Sequence, residues 1–595
     1  VVIVAPQERK ASMLSALRDF GAVHVSETAA PNSSLSDKLS QLNRIRAILT
    51  DQAKKNQAPV IEGESFEALH GKLVHALEEK KVLEDEIIRL GAVRESVAKW
   101  GDFIPQEVLE LKDTGLEFNF YLLGKKEFEA LPENVSYIRL QDIDKQNAIA
   151  VLGSALPDGF SGNRFVLPEK GLGQIERETA EKKKRLAEIA SVVSDSAAYI
   201  SSYDKAIALT TDEIVFNRVG DGAASEDCFT LIQGFIPVSD VDAFKKASSE
   251  NCWAYAMDDP SDEDFTPTKV RYNRVTKMMR PLFDMLGTVP GYREYDISMW
   301  FLLFFALFFA MIIGDAAYGL ILLAACAVLH VKSKKLSNVN LLLYVMSVAT
   351  IFWGAITGTW FGAEEAMKIP FLKALVIPAI ANYPEYFGVD STAAQNAVMK
   401  FCFAVGTIQL SLACVMNIIR KWKEKSLAFL ADAGWLVMIL SIYNLVLMLV
   451  IGEEVNVGTI FTLIIGGFFA VIIFGGQERG KSFFAGLKTG LGGAFITFLN
   501  SISAFGNVMS YIRLFAVGMA SLAIAQSFNG MASSMLKGLA FPAGVLILLL
   551  GHGLNIVMGA LSVIVHGVRL NLLEFSGQLG MEWTGIPYEP FRKKS

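Results

Sequence analysis

One arginine stands in the middle of a long apolar stretch. Arg513 lies in NVMSYIRLFAVGMASLAIAQ (507–526), with Ala516, Gly518, Ala520 and Ala523 following it. Placing a guanidinium at mid-bilayer depth costs roughly 2.5–3.5 kcal/mol on insertion scales, and such a charge is a functional candidate by default. The group stays ionised at every cellular pH. It is therefore a fixed cation, suited to barring other cations or to displacing a proton or Na⁺ from a passing carboxylate. The small residues beside it would let another helix slide close. The competing reading is a structural salt bridge within a helix bundle.

Three further groups break apolar runs. In SVIVHGVRLNLLEF (562–575), His566 and Arg569 are three apart and share one helix face, with Glu574 less neatly placed. They suggest two charged helices meeting across an aqueous path. The alternative is a helix end from which Arg569 and Glu574 reach the interface by snorkelling. Gly314-Asp315, with Tyr318, reads first as a turn whose aspartate caps the next helix and second as part of an ion path. His552 and Asn555 in GHGLN (551–555), with Gln526 and Asn500, are candidates to line a half-channel.

Other chemistries find little support. The first 290 residues contain no GxxxxGKS/T, no GxGxxG after a strand, no HExxH and no GxSxG. The six histidines do not fall at metal-ligand spacing, and the five cysteines form no CxxC pair. Neither a metal nor a cofactor is expected. The net charge of −6 gives no support for nucleic-acid binding.

The elements that must position these residues divide into two halves. Charged residues are 19% of the chain, against about 25% in soluble domains, and they concentrate in residues 1–290. There, VVIVAP (1–6), GAVHVSE (21–27), FNFYLL (118–123), VSYIRL (135–140), NAIAVLG (147–153) and FTLIQGFIP (229–237) read as strands. Phe66, Leu69, Leu73, Ala76, Lys80, Leu83, Ile87 and Leu90 form a 3-and-4-spaced seam, and Ile175, Leu186, Ile189, Val193, Ile200, Tyr203 and Ile207 form another. The expected layout is an α+β cytosolic domain of two lobes joined by an antiparallel helical arm. The arms cover about 35–100 and 170–217, and the distal lobe about 101–168. The opening VVIVAP lacks the basic flank and cleavage site of a secretory signal, so this half is expected in the cytosol.

Residues 291–595 are expected to form an α-helical polytopic membrane domain. Its apolar runs are 296–331, 340–361, 398–419, 427–451, 457–476, 484–530 and 541–576. The first is expected to be a tight hairpin at Gly314-Asp315. The run 484–530 is too long for one upright span: it is one strongly tilted helix, a helix with an interfacial approach, or two spans. Taking it as one long helix puts the basic clusters Lys332/Lys334/Lys335, Arg420/Lys421/Lys423/Lys425, Arg479/Lys481 and Arg592/Lys593/Lys594 on one side. About eight spans result, the last two helices long and tilted, with both termini cytosolic.

The motifs resemble the large membrane stator subunit of V-type and A-type ATPases, the subunit a or prokaryotic subunit I family. SYIRLFAVGMA (510–520) resembles its arginine helix, LSVIVHGVRLNLLEF (561–575) its last-helix motif and GIPYEPF (585–591) its tail. IGDAAYG (313–319), GFIP (234–237), residues 266–296 and the stretch 13–27 extend the likeness over nearly the whole chain.

The resemblance implies a prokaryotic, multi-pass inner (plasma) membrane subunit that itself neither binds nor hydrolyses ATP. It implies a rotor ring of small carboxylate-bearing subunits, peripheral stalk subunits and the ATPase head as partners. Arg513 would separate two half-channels and Arg569 would support it, for H⁺ or Na⁺, in hydrolysis or synthesis. Eukaryotic members carry a glutamate seven residues before the last-helix histidine; here that position is Gly559, so their proton path cannot be copied. The runner-up is a secondary ion transporter with a cytosolic regulatory domain. It should show inverted repeats around a midplane site, and no convincing repeat is present.

Overall fold

The computed structural model describes every residue except 27–29, 31, 53–57, 102, 114–115, 132–134, 144–145, 154–155, 157–163, 227, 262–263, 478–481, 537–539 and 594–595. The basic residues Arg479, Lys481 and Lys594 therefore lie outside the described residues. The chain divides into two bodies, residues 1–258 with 590–595, and residues 259–589.

The first body begins with β1 (Val2–Pro6), α1 (Lys10–Phe20), β2 (His24–Val25), α2 (Ser33–Asp51) and α3 (Glu64–Ala98). A small lobe follows: α4 (Pro105–Asp113), β3 (Phe118–Leu123), α5 (Lys125–Glu129), β4 (Tyr137–Ile143), β5 (Gln146–Leu152) and β6 (Arg164–Phe165). Then come α6 (Leu172–Ser196), α7 (Ile200–Gly222), β7 (Ala224–Glu226), β8 (Phe229–Phe235), α8 (Val241–Asn251) and β9 (Ala254–Ala256). The strands build two antiparallel sheets, β2-β8-β1-β9 with β7 beside β8, and β4-β5-β3-β6.

The seam residues do join the arms. Phe66, Leu73, Ala76, Ile189, Val193 and Tyr203 are buried together. Ion pairs Glu79–Arg185 (2.7 Å), Glu86–Lys182 (2.5 Å) and Arg94–Glu176 (2.9 Å) fix the pairing of α3 with α6 as antiparallel. The first sheet's core holds Ile3, Leu17, Val23, Ile232 and Phe244, and it is completed from far down the chain by Phe591. Phe591 is 3% exposed, its N–H donates to Val23 O (2.7 Å), and its ring lies 6.2 Å from that of Phe216.

The second body opens with β10 (Pro267–Thr268) and α9 (Arg280–Leu286). It continues through α10 (Ser298–Ile313), α11 (Ala316–Ser333), α12 (Asn338–Thr357), α13 (Pro370–Leu375), α14 (Ser391–Lys423), α15 (Phe429–Ile451), α16 (Val457–Phe474), α17 (Phe483–Gly492), α18 (Ala494–Ser510), α19 (Ile512–Ser533) and α20 (Phe541–Ser562). The last helix runs on through widened turns at Val563–Gly567 and Leu570–Phe575 into α21 (Ser576–Leu579), before β11 (Ile586–Pro587) pairs with β10. Among the described residues, seven helices are long and apolar enough to span a bilayer, and α10 is a shorter apolar one.

One detail differs from the expected layout, and another selects among the forms expected for the run 484–530. The chain does break at Gly314-Asp315, but α10 and α11 do not pack as a hairpin; both lie against α12. Gly354 of α12 makes this possible, because a Cβ there would collide with the Ala316 backbone. The run 484–530 is a short helix, α17, followed by a rod of α18 and α19 that steps at Tyr511.

Candidate functional site

Arg513 is the second residue of α19, and the last helix meets it from the side. Its Nη2 donates to Glu574 Oε1 at 3.1 Å and its Nε to Ser510 O at 3.1 Å. Arg569 Nε approaches the same Glu574 Oε1 at 3.7 Å. The Glu574 side chain is 5% exposed, Arg513 24% and Arg569 55%. Glu574 Oε2 and His566 Nδ1 are buried without a hydrogen-bond partner among the described residues.

Glu574 thus does not snorkel to an interface; it is buried between two guanidiniums. An α-helical period leaves Arg569 and Glu574, five apart, on different faces. The widened turn 570–575 bonds i→i+5, and that register lets residues five apart meet. The lone cation expected at 513 is accordingly half of an ion pair, as the competing reading anticipated. The pairing is single rather than bidentate, however, and two guanidiniums share one carboxylate. One positive charge remains in excess.

A neutral chain of hydrogen bonds lies beside this cluster. Tyr511 Oη donates to Gln409 Oε1 (2.8 Å), Gln409 Nε2 to Asn571 Oδ1 (2.9 Å) and Asn571 Nδ2 to Gly567 O (3.1 Å). All three side chains are fully buried.

A second network sits about 12–24 Å further along α19, from Ser521 to Asn529, at 1.5 Å per residue. Asn529 Nδ2 donates to Phe361 O (2.7 Å), which leaves its Oδ1 for His552 Nε2 (3.1 Å). His552 Nδ1 then accepts from Tyr318 Oη (2.7 Å), and Asn555 Nδ2 donates to that hydroxyl (3.1 Å) and to Ser521 O (2.9 Å). The network itself fixes the imidazole proton on Nε2. Asp315 is a helix cap: Oδ1 accepts from Ala317 N (2.8 Å) and Tyr318 N (3.4 Å), and Oδ2 from Gly362 N (3.0 Å). Between these anchors Phe361 is held at a φ of 50°, its ring edge-on to Tyr318 and His552.

The structure therefore brings Arg513, Arg569 and Glu574 together, with His566 on the same helix, and gathers His552, Asn555 and Asp315 elsewhere. Gln526 and Asn500 are exposed and join neither group. Ala516, Ala520 and Ala523 form an exposed small-residue face on the Arg513 helix, whereas Gly518 turns inward against Met311 O. Gln409, Tyr511, Asn571, Asn529 and Ser521 were not singled out from the sequence. A polar side chain within an apolar helix is the only signal they offer.

The string GGQERGKS (475–482) matches the phosphate-loop pattern, although that loop requires a preceding strand. Here α16 precedes it, and Gly476 lets the chain pass against the Gly486 and Gly490 backbone of α17.

The chain is 32% identical over 622 residues to a V-type ATP synthase subunit I of Borreliella burgdorferi, covering 100% of this chain and 98% of the relative. It is 32% identical over 640 residues to V-type ATP synthase subunit I 1 of Treponema pallidum, with the same coverage. An A-type ATP synthase subunit I of Methanocaldococcus jannaschii is 27% identical over 466 residues, covering 71% of this chain and 64% of that one. A solved structure described as the cytoplasmic N-terminal domain of subunit I, homolog of subunit a, of V-ATPase matches 42% of this chain and 97% of its own. Its identity is 15% and its TM-score 0.21, too loose a likeness to carry an argument. No protein-family model matches.

Proposed function

Since the chain belongs to the V-type/A-type ATP synthase subunit I family, we propose that it is the membrane stator of the rotary complex and supplies the fixed charge past which ring carboxylates move. Membership makes it a multi-pass membrane subunit with other ATPase subunits as partners, and sets aside the secondary transporter.

The carrying observation is the uneven ion cluster, in which Glu574 offsets only one of two guanidiniums. Among the described residues Arg513 donates only through Nε and Nη2, which leaves donors for a second carboxylate, and the exposed alanines beside it leave room for a helix that bears one. An arriving ring carboxylate would accept from Arg513 and give up its ion, while Glu574 stays on Arg569. The excess charge would also bar a direct leak between the two sides.

The buried relay through Tyr318, His552 and Asn555 belongs, in this reading, to the outer half-channel. The arm and its lobes hold the peripheral stalk, the subunit itself is non-catalytic, and the soluble body lies in the cytosol.

A cysteine at Ala520 tests the ring-facing assignment. Oxidation in membranes should cross-link it to a cysteine placed beside the ring carboxylate, in a complex that also contains the ATPase head. Cross-linking from exposed Leu549 on α20 but never from 520 would refute it.

A further inference from the structure

The spacing of the charged residues is set by groups that carry no charge. We propose that Gln409, Tyr511 and Asn571 are positioning residues for ion translocation. Through them α14 sets where Arg513 stands relative to Arg569 and Glu574. The proposal rests on the reading of Arg513 as the translocating charge.

Two members are joined to the charged residues through the backbone, and the third joins those two. Tyr511 occupies the step between α18 and α19, two residues before Arg513. Asn571 lies inside the widened turn between Arg569 and Glu574. Its Nδ2 donates to Gly567 O, the carbonyl that an α-helix would give to the backbone N–H of residue 571. The side chain thus ties the second widened turn back to Gly567, the last residue of the first. Gln409 joins the two by accepting from Tyr511 and donating to Asn571.

The order of donors and acceptors runs one way from Tyr511 to Gly567, so each amide has a single satisfied orientation. Gly406, one turn before Gln409, notches α14 to seat the Tyr511 ring; a Cβ there would fall among the ring atoms. A fully satisfied buried network of this kind specifies one arrangement of its helices. Simple core stability would be served as well by apolar residues of similar size.

That contrast supplies the test. The triple variant Gln409→Leu, Tyr511→Phe, Asn571→Leu removes donors and acceptors together, which spares the buried penalty of a half-broken network. It is studied in the whole complex in vesicles, with ions moved per ATP hydrolysed as the readout. The expected result is normal retention of head and ring subunits with the ratio lowered about tenfold or more, since small misplacements near a reacting centre have effects of that size. A wild-type ratio in the assembled triple variant overturns the proposal.

Should the triple variant not assemble, Tyr511→Phe alone decides. A lowered ratio at full assembly supports positioning, and an unchanged ratio rejects it. Arg513→Ala is measured in parallel. If it pumps normally, the underlying charge reading has failed. If it is inactive while the triple variant is normal, only the brace has failed.

Discussion

Replacing Arg513 by alanine separates two things the residue does. At an effective dielectric constant of about 20, charges 3.1 Å apart interact by about 5 kcal/mol. Desolvation offsets part of this, and breaking a buried pair from one side typically costs about 3–5 kcal/mol. Arg569 cannot replace the lost partner fully, because it is 3.7 Å away and more than half exposed, so its attraction is screened. Arg513→Ala should therefore lower stability by about 3 kcal/mol or more. Adding Glu574→Ala removes the stranded carboxylate and should recover most of that loss, since deleting both partners is often close to neutral.

Transport should behave differently. The double variant again carries one excess positive charge, on Arg569, but not at position 513. If position matters, ATP-driven ion uptake in vesicles stays below about one hundredth of wild type in both variants, which corresponds to roughly 2.7 kcal/mol of lost function. Thermal unfolding of the solubilised complex and uptake in vesicles are the paired assays. Recovery of uptake together with stability in the double variant would show that any excess cation suffices, and the assignment of Arg513 would fall.

Three further outcomes follow from other parts of the molecule. Asp315→Ala removes acceptors for three backbone N–H groups and should destabilise by about 2–4 kcal/mol, with Asp315→Asn milder; equal melting temperatures would contradict the capping role. Gly406→Ala should cost at least about 1–3 kcal/mol by overpacking against Tyr511, and pairing it with Tyr511→Ala should relieve part of the loss in the same unfolding assay. In the arm, hydrogen bonds from Arg185 and Lys182 hold the Glu79 and Glu86 carboxyls below their ordinary range. Folded values below unfolded ones mean that these pairs support the arm above about pH 4.3 and are lost as pH falls through the folded values. Hydrogen exchange in α3 and α6 should accelerate below that pH, and the Glu79→Gln/Glu86→Gln variant should lack that component.

What could be read without coordinates was what a single element reveals about itself. Arg513 declared itself through the cost of a charge in hydrocarbon, the arms through their 3-and-4 spacing, and Asp315 through its place after a glycine at a helix start. The hidden parts were pairings between distant segments. Nothing local to SYIRL says that Tyr511 reaches Gln409, 102 residues away, or that Arg513 meets Glu574, 61 residues on. Glu574 was hard to place because its position depends on a departure from the α-helical period, and periodicity analysis assumes that period. Strand β2 is shorter than GAVHVSE suggests: His24 and Val25 pair with β8, and Ser26 N adds one bond to Gln233 O.

Phe591 changes how the protein has to be made. The first sheet and its helices are complete in sequence by residue 258, yet one side chain of their core arrives about 330 residues later. At about 5–20 residues per second, roughly 20–60 s of translation separate the two events. During that interval the early body waits with an unfilled apolar site, while the hydrophobic helices are being inserted. Val23 O can receive its bond from Phe591 only after those helices have been synthesised. The last step of maturation would then report on success in the membrane, and a chain whose insertion stalls would present an unfinished core to the quality-control machinery of the cell.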